Sequence, residues 1–97
     1  MSYQKIKFQD WECNIITKRY NNGRLAIELV EAESGEPVTV ATVNLPDASL
    51  EEGEVFIKNW SENEGIMDTL IKANVIGPVI GIKHTGFVKA TKHKLLI

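Results

Sequence analysis

Apolar and polar residues alternate along the first third of the chain. Trp11, Cys13, Ile15 and Thr17 alternate with Glu12, Asn14, Ile16 and Lys18, the period of a half-buried strand. A weaker alternation, Ile6 and Phe8 against Lys5 and Lys7, precedes it. Asn21-Asn22-Gly23 tolerates positive φ and predicts a hairpin turn, with Leu25, Ile27 and Leu29 on the return strand. Ser34-Gly35-Glu36-Pro37 predicts the next turn. Val38 to Leu45 is rich in β-branched residues and apolar on both faces, which predicts a more central strand. Pro46-Asp47 breaks that strand, and Ser49 to Gly53 reads as a polar loop. Glu54 to Asn59 predicts another strand, with Val55 and Ile57 on one face and Phe56 on the other.

The period then changes. Ile66, Met67, Leu70, Ile71 and Ala73 form an apolar stripe at helical spacing. Ser61-Glu62-Asn63-Glu64 before it fits a capping box, and Glu62, Glu64, Asp68 and Lys72 suit the helix macrodipole. Gly77-Pro78 is the predicted stop. Val79 to Lys83 predicts a short strand, His84-Thr85-Gly86 a turn and Phe87 to Leu95 a final strand. The expected fold is α+β: a mostly antiparallel sheet of five to seven strands with one helix, about residues 62–75, packed on one face.

Composition adds bounds. A chain of 97 residues is expected to be one domain, 1–97. It can bury roughly 60–70% of its extended-chain surface, enough for one modest core. There is no apolar run of membrane-spanning length, and Met1 to Lys5 has no leader-like apolar stretch, so a cytoplasmic location is expected. The lone Cys13 fits a reducing compartment and reads as a small hydrophobe on its strand.

Charge is segregated. Glu28 to Asp68 holds eleven acidic residues and one lysine, whereas Thr69 to Ile97 holds five lysines and no acid. The formal net charge of -2 conceals this layout, which bears on partners rather than on fold. Asp47, Glu51, Glu52, Glu54, Glu62 and Glu64 crowd one stretch interrupted by Phe56 and Trp60, and their loop, strand start and helix start can converge on one edge. An acidic rim around an exposed aromatic would form a hot spot for a basic partner. The alternative is that Trp60 belongs to the core. Lys83, Lys89, Lys92 and Lys94 share a predicted hairpin with Phe87. They are the candidate contacts to nucleic acid, or they pair with the acidic stretch of the same chain or of a second copy.

Enzyme signatures are missing. The chain has no P-loop, no Cys/His set with metal-ligand spacing and no local nucleophile–base pair. His84 and His93, on either side of a hairpin, could approach one another, but two histidines make a poor metal site. The acids repel one another in polar segments, the mark of a solvated face rather than of acid–base catalysis. No catalytic residue, metal or cofactor is expected.

Three segments carry a resemblance: Tyr20-Asn-Asn-Gly-Arg-Leu-Ala-Ile-Glu-Leu29, Val43-Asn-Leu-Pro-Asp47 and Glu54-Val-Phe-Ile-Lys-Asn-Trp-Ser-Glu-Asn-Glu-Gly65. Over residues 8–97 the chain resembles a domain-of-unknown-function family of small proteins from phages, plasmids and conjugative elements of gut-type bacteria. The resemblance implies a habitat, not a catalytic residue. With the charge layout, it implies a non-enzymatic interaction protein that inhibits a host defence nuclease, of anti-CRISPR or anti-restriction type, through an acidic surface. Its partner would be a host protein with a basic or nucleic-acid-binding surface. The alternatives are a nucleic-acid-binding accessory protein using the lysine hairpin, or a structural or regulatory subunit that forms homo-oligomers.

Overall fold

Turn chemistry sets the first sheet. In the computed structural model, which describes residues 5–97, Asn22 Oδ1 accepts the Arg24 amide and Gly23 adopts positive φ. The chain therefore reverses where the sequence predicts. Strands β1 (Lys5–Phe8), β2 (Trp11–Arg19), β3 (Leu25–Glu31) and β4 (Pro37–Val40) form an antiparallel sheet in the order β1-β2-β3-β4. The β2–β3 register pairs Ile15 with Leu29 and Cys13 with Glu31. Pairing at period two places Cys13, Ile15, Ile27 and Leu29 on one face, where all four are fully buried. Burial, with Glu31 nearby, raises the Cys13 thiol pKa and keeps it in its thiol form.

The segment after β4 differs from the central strand expected over Val38 to Leu45. The Ala41 amide still bonds the Ile27 carbonyl of the first sheet. The Lys58 amide bonds the Ala41 carbonyl, the Val43 amide bonds Phe56, and Thr42 bridges Ile57. The chain thus crosses from one sheet into a second. It is apolar on both faces because its second half lies between layers, not because β4 is central; β4 is an edge strand.

The second sheet has the order β5-β7-β6, from β5 (Glu54–Ile57), β6 (Gly81–Thr85) and β7 (Val88–Lys94). The single expected sheet is therefore two, of four and three strands. Both faces of β5 are covered. Val55 and Ile57 enter the main core with Ile15, Leu29, Ile66 and Leu70, while Phe56 packs with Ala48 and Ala90 beneath Leu45, Leu50 and Trp60. Each large aliphatic chain fully buried this way contributes about 1.5–3 kcal/mol.

The helix is shorter than the expected 62–75. A 3-10 turn spans Ser61–Asn63, and α1 spans Ile66–Lys72. Gly65, at φ 90, separates them, a conformation costly for any residue with a Cβ. The capping box does not form, because Ser61 itself has φ 55 and no cap bond starts at its hydroxyl among the described residues. Asn59 Oδ1 accepts the Met67 amide instead, at 2.9 Å. The predicted apolar stripe does face the core through Ile66 and Leu70. The helix ends before Gly77-Pro78: Asn74 has φ 61, and the Val75 amide returns to the Leu70 carbonyl.

The last turn begins two residues later than expected. His84 and Thr85 belong to β6, and Gly86-Phe87 forms a two-residue turn. Gly86 has φ 63 and Phe87 does not share it, the pattern of a type II′ turn with glycine in the first central position.

Candidate interaction surfaces

The acidic candidates occupy three places rather than one edge. Asp47 lies in the loop beside β6, sharing a groove of about 250 Å³ with Lys83 and His84. Arg24 fixes this loop by donating to the Leu45 carbonyl at 2.6 Å and the Ala48 carbonyl at 2.7 Å. Glu51, Glu52 and Glu54 lie beside the β2–β3 turn. Glu54 is buried, and its Oε1 accepts the Glu51 amide at 3.0 Å, closing the loop. Glu52 pairs with Arg19 at 2.8 Å, and the guanidinium lowers the carboxyl pKa.

Glu62 is placed elsewhere. Its side chain pairs with Lys58 at 2.8 Å, a contact that lowers its pKa, and its carbonyl accepts Gln9 Nε2 at 3.1 Å. Gln9 and Arg19 lie at opposite ends of the nine-residue β2, which at 3.3 Å per residue separates them by roughly 25–30 Å. Glu52 and Glu62 therefore belong to different ends of the molecule. Glu64, Glu51 and Asp47 are exposed and form no ion pair among the described residues. Trp60 is half-buried against the Phe56 and Ala48 cluster.

An exposed aromatic with an acidic rim exists at a different tryptophan. Trp11 is 45% exposed. It lines a groove of about 550 Å³ with Lys5, Asp10, Glu12, Glu31 and Glu33. A smaller cleft continues past Trp11 to Glu36 and Val38. The antiparallel β2–β3 ladder creates this site. Cys13 opposes Glu31, and the Ala32 amide bonds the Glu12 carbonyl, so the β1–β2 and β3–β4 turns meet at one end of the sheet. Trp11 lies in phase with Cys13 and faces the core side, but beyond the end of the packed layer. The register was the signal available in the sequence, since the three-residue turn Asn21-Asn22-Gly23, closed by Tyr20 and Arg24, sets 13 opposite 31 and, continued, 11 opposite 33.

The four hairpin lysines are not on one face. Lys83, Lys92 and Lys94 share one side of the second sheet, whereas Lys89 is on the other with His84 and Ile82. Lys92 lies over the Phe56 ring, 5.7 Å from its centroid. None of the four lies in an ion pair among the described residues; the acidic stretch pairs with Lys18, Arg19 and Lys58 instead. Around the lysines are exposed Ile80 and Ile82, and Phe87 stands wholly in solvent at the turn.

The histidines do not meet. His84 is exposed opposite Lys89, whereas His93 is fully buried opposite Val55. Nδ1 of His93 lies 2.8 Å from the Gly77 carbonyl and Nε2 lies 2.7 Å from Thr91 Oγ1. A carbonyl only accepts, so Nδ1 carries the proton. Burial lowers the ring pKa, against the opposing pull of the Gly77 and Pro78 carbonyls. The buried polar groups are spent internally: among the described residues, no buried side-chain nitrogen or oxygen lacks a partner. No cluster of three or more His, Cys, Asp or Glu with metal-binding geometry occurs among them, and no helix is long and apolar enough to cross a membrane.

No family model, curated protein or solved structure matches the chain.

Proposed function

We propose that this is a small non-enzymatic interaction protein whose acidic surface receives a basic partner, and that the receiving site is the groove around Trp11. One observation carries the reading: a large aromatic left half-exposed in an open groove where Asp10, Glu12, Glu31 and Glu33 outnumber the one lining cation, Lys5. Aromatic side chains dominate interface energetics, and carboxylates around them speed encounter with a cationic surface. Cationic side chains of the partner would find the Trp11 ring face as well as the carboxylates. A host nuclease of the defence type, whose phosphate-binding cations the carboxylates would meet, is the partner class that the family resemblance implies.

Capture from the natural host tests the reading. The wild-type chain is expected to retain a basic or nucleic-acid-binding protein, and reversal of Asp10, Glu12 and Glu33 to lysine to release it. Retention after that reversal sinks the Trp11 site. A second acidic reading rests on the exposure of Asp47, Glu51 and Glu64 without ion pairs. Reversing those three instead, with Trp11 and its neighbours intact, separates the two.

A further inference from the structure

Strand β6 is an edge. No strand pairs with its outer side among the described residues, so the backbone donors and acceptors on that side face solvent. Other edges are blunted or covered: Pro37 begins β4, Lys5 and Lys7 flank Ile6 on β1, and residues 41–43 cover β5. β6 instead carries exposed apolar side chains, with Ile80 at 51% and Ile82 at 54%, and a wholly exposed Phe87 at its turn. Apolar groups at an open edge mark an interaction site.

The register gives each face of the edge its own chemistry. Ile82 and His84 point to one side, and Lys83 to the other, where Lys92 is its diagonal neighbour across the ladder. Lys83, Lys92 and Lys94 form no ion pair among the described residues; the neighbouring carboxylates, Asp47 in the groove beside Lys83 and Glu54 opposite Lys94, do not pair with them. A second copy of β6 is a poor occupant, because antiparallel self-pairing sets lysine near lysine. Nucleic acid fits less well, since the lysines are split between faces, one of them is drawn over Phe56, and the hairpin has no arginine.

We infer that β6 is a strand-addition site for an extended acidic segment of a protein partner. Its apolar residues alternate with carboxylates so that the apolar set lies beside Ile82 and the carboxylates beside Lys83. Main-chain bonds to the open edge supply affinity, and the two faces supply specificity. This site is separate from the Trp11 groove, so either can fail alone.

The probe is a short blocked peptide of alternating valine and glutamate, added to the isotopically labelled chain. Expected are amide shifts centred on Gly81 to Thr85, slowed exchange of β6 amides and a dissociation constant at or below about 1 mM. Methylating alternate backbone nitrogens of the peptide on its pairing edge is expected to abolish these changes. Lys83→Glu, at an exposed position, is expected to weaken the acidic peptide about tenfold and to admit a valine–lysine peptide. Four results overturn the inference: no shift at β6, equal shifts with the methylated peptide, equal binding of both peptide charges to the wild-type chain, or shifts at β6 with an oligonucleotide but not with the peptide.

Discussion

Asn63, fully buried in the 3-10 turn, is held by Thr39 of the edge strand β4, whose hydroxyl donates to its Oδ1. The Asn63 amide nitrogen also donates to the Val40 carbonyl at 2.8 Å. One side chain thus ties the entry to the helix to the first sheet. Asn63→Ala strands the carbonyl of Val40 and the hydroxyl of Thr39. It is expected to cost about 1–3 kcal/mol in urea unfolding with an unchanged m-value. A cost near zero would mean that water replaces both bonds.

The helix start gives a sharper contrast. The sequence assigns the cap to Ser61, whereas in the structure Gly65 stands at the cap without a side-chain bond and Asn59 Oδ1, from before the 3-10 turn, accepts the first-turn Met67 amide. Asn59→Ala is expected to destabilise the fold by about 1 kcal/mol and Ser61→Ala by much less. Thermal unfolding of the two variants side by side checks the assignment, and the reverse order would restore the capping box.

Arg24 organises the loop that carries Asp47. Its guanidinium meets two carbonyls and no carboxylate, so the charge is spent on holding the backbone. Arg24→Met is expected to cost about 1–3 kcal/mol, given the usual worth of hydrogen bonds to charged groups. Exchange at the Ala48 amide, which bonds the Leu45 carbonyl, is expected to quicken while β2 amides stay protected. Uniform acceleration across the chain would show a global rather than a local role.

The strands and turns of the first sheet were legible because alternation and turn residues act locally. The division into two sheets was not, since a strand that crosses between layers has the same apolar pattern as a central one. The helix stripe was legible, but the side chain that satisfies its first turn, Asn59, lies eight residues before the amide it accepts, beyond the reach of a capping-box pattern. Along the chain the acids are densest at residues 47–64, far from Trp11. The acids that surround Trp11 come from segments some twenty residues apart, joined by the β2–β3 register. Buried His93 had no local signal, because nothing in its sequence neighbourhood announces that Gly77 will meet it.

His93 sets a pH dependence of known sign. Its folded pKa lies below the ordinary 6.5, chiefly through burial. Well above pH 6.5 the ring is neutral in both the folded and unfolded chain, so it contributes no slope. As pH falls below 6.5 the unfolded chain binds the proton first, and stability drops until the pH passes beneath the folded value. The exposed Glu52 and Glu62, whose values are lowered by Arg19 and Lys58, act in a separate window, losing their contribution only as pH falls below 4.5. Between pH 7.5 and 5 the wild-type chain is therefore expected to lose stability to urea. His93→Gln, which keeps a donor and an acceptor without a titrating ring, is expected to begin about 1–3 kcal/mol lower and to lose much less over that interval. Parallel slopes for the two proteins would place the acid sensitivity elsewhere.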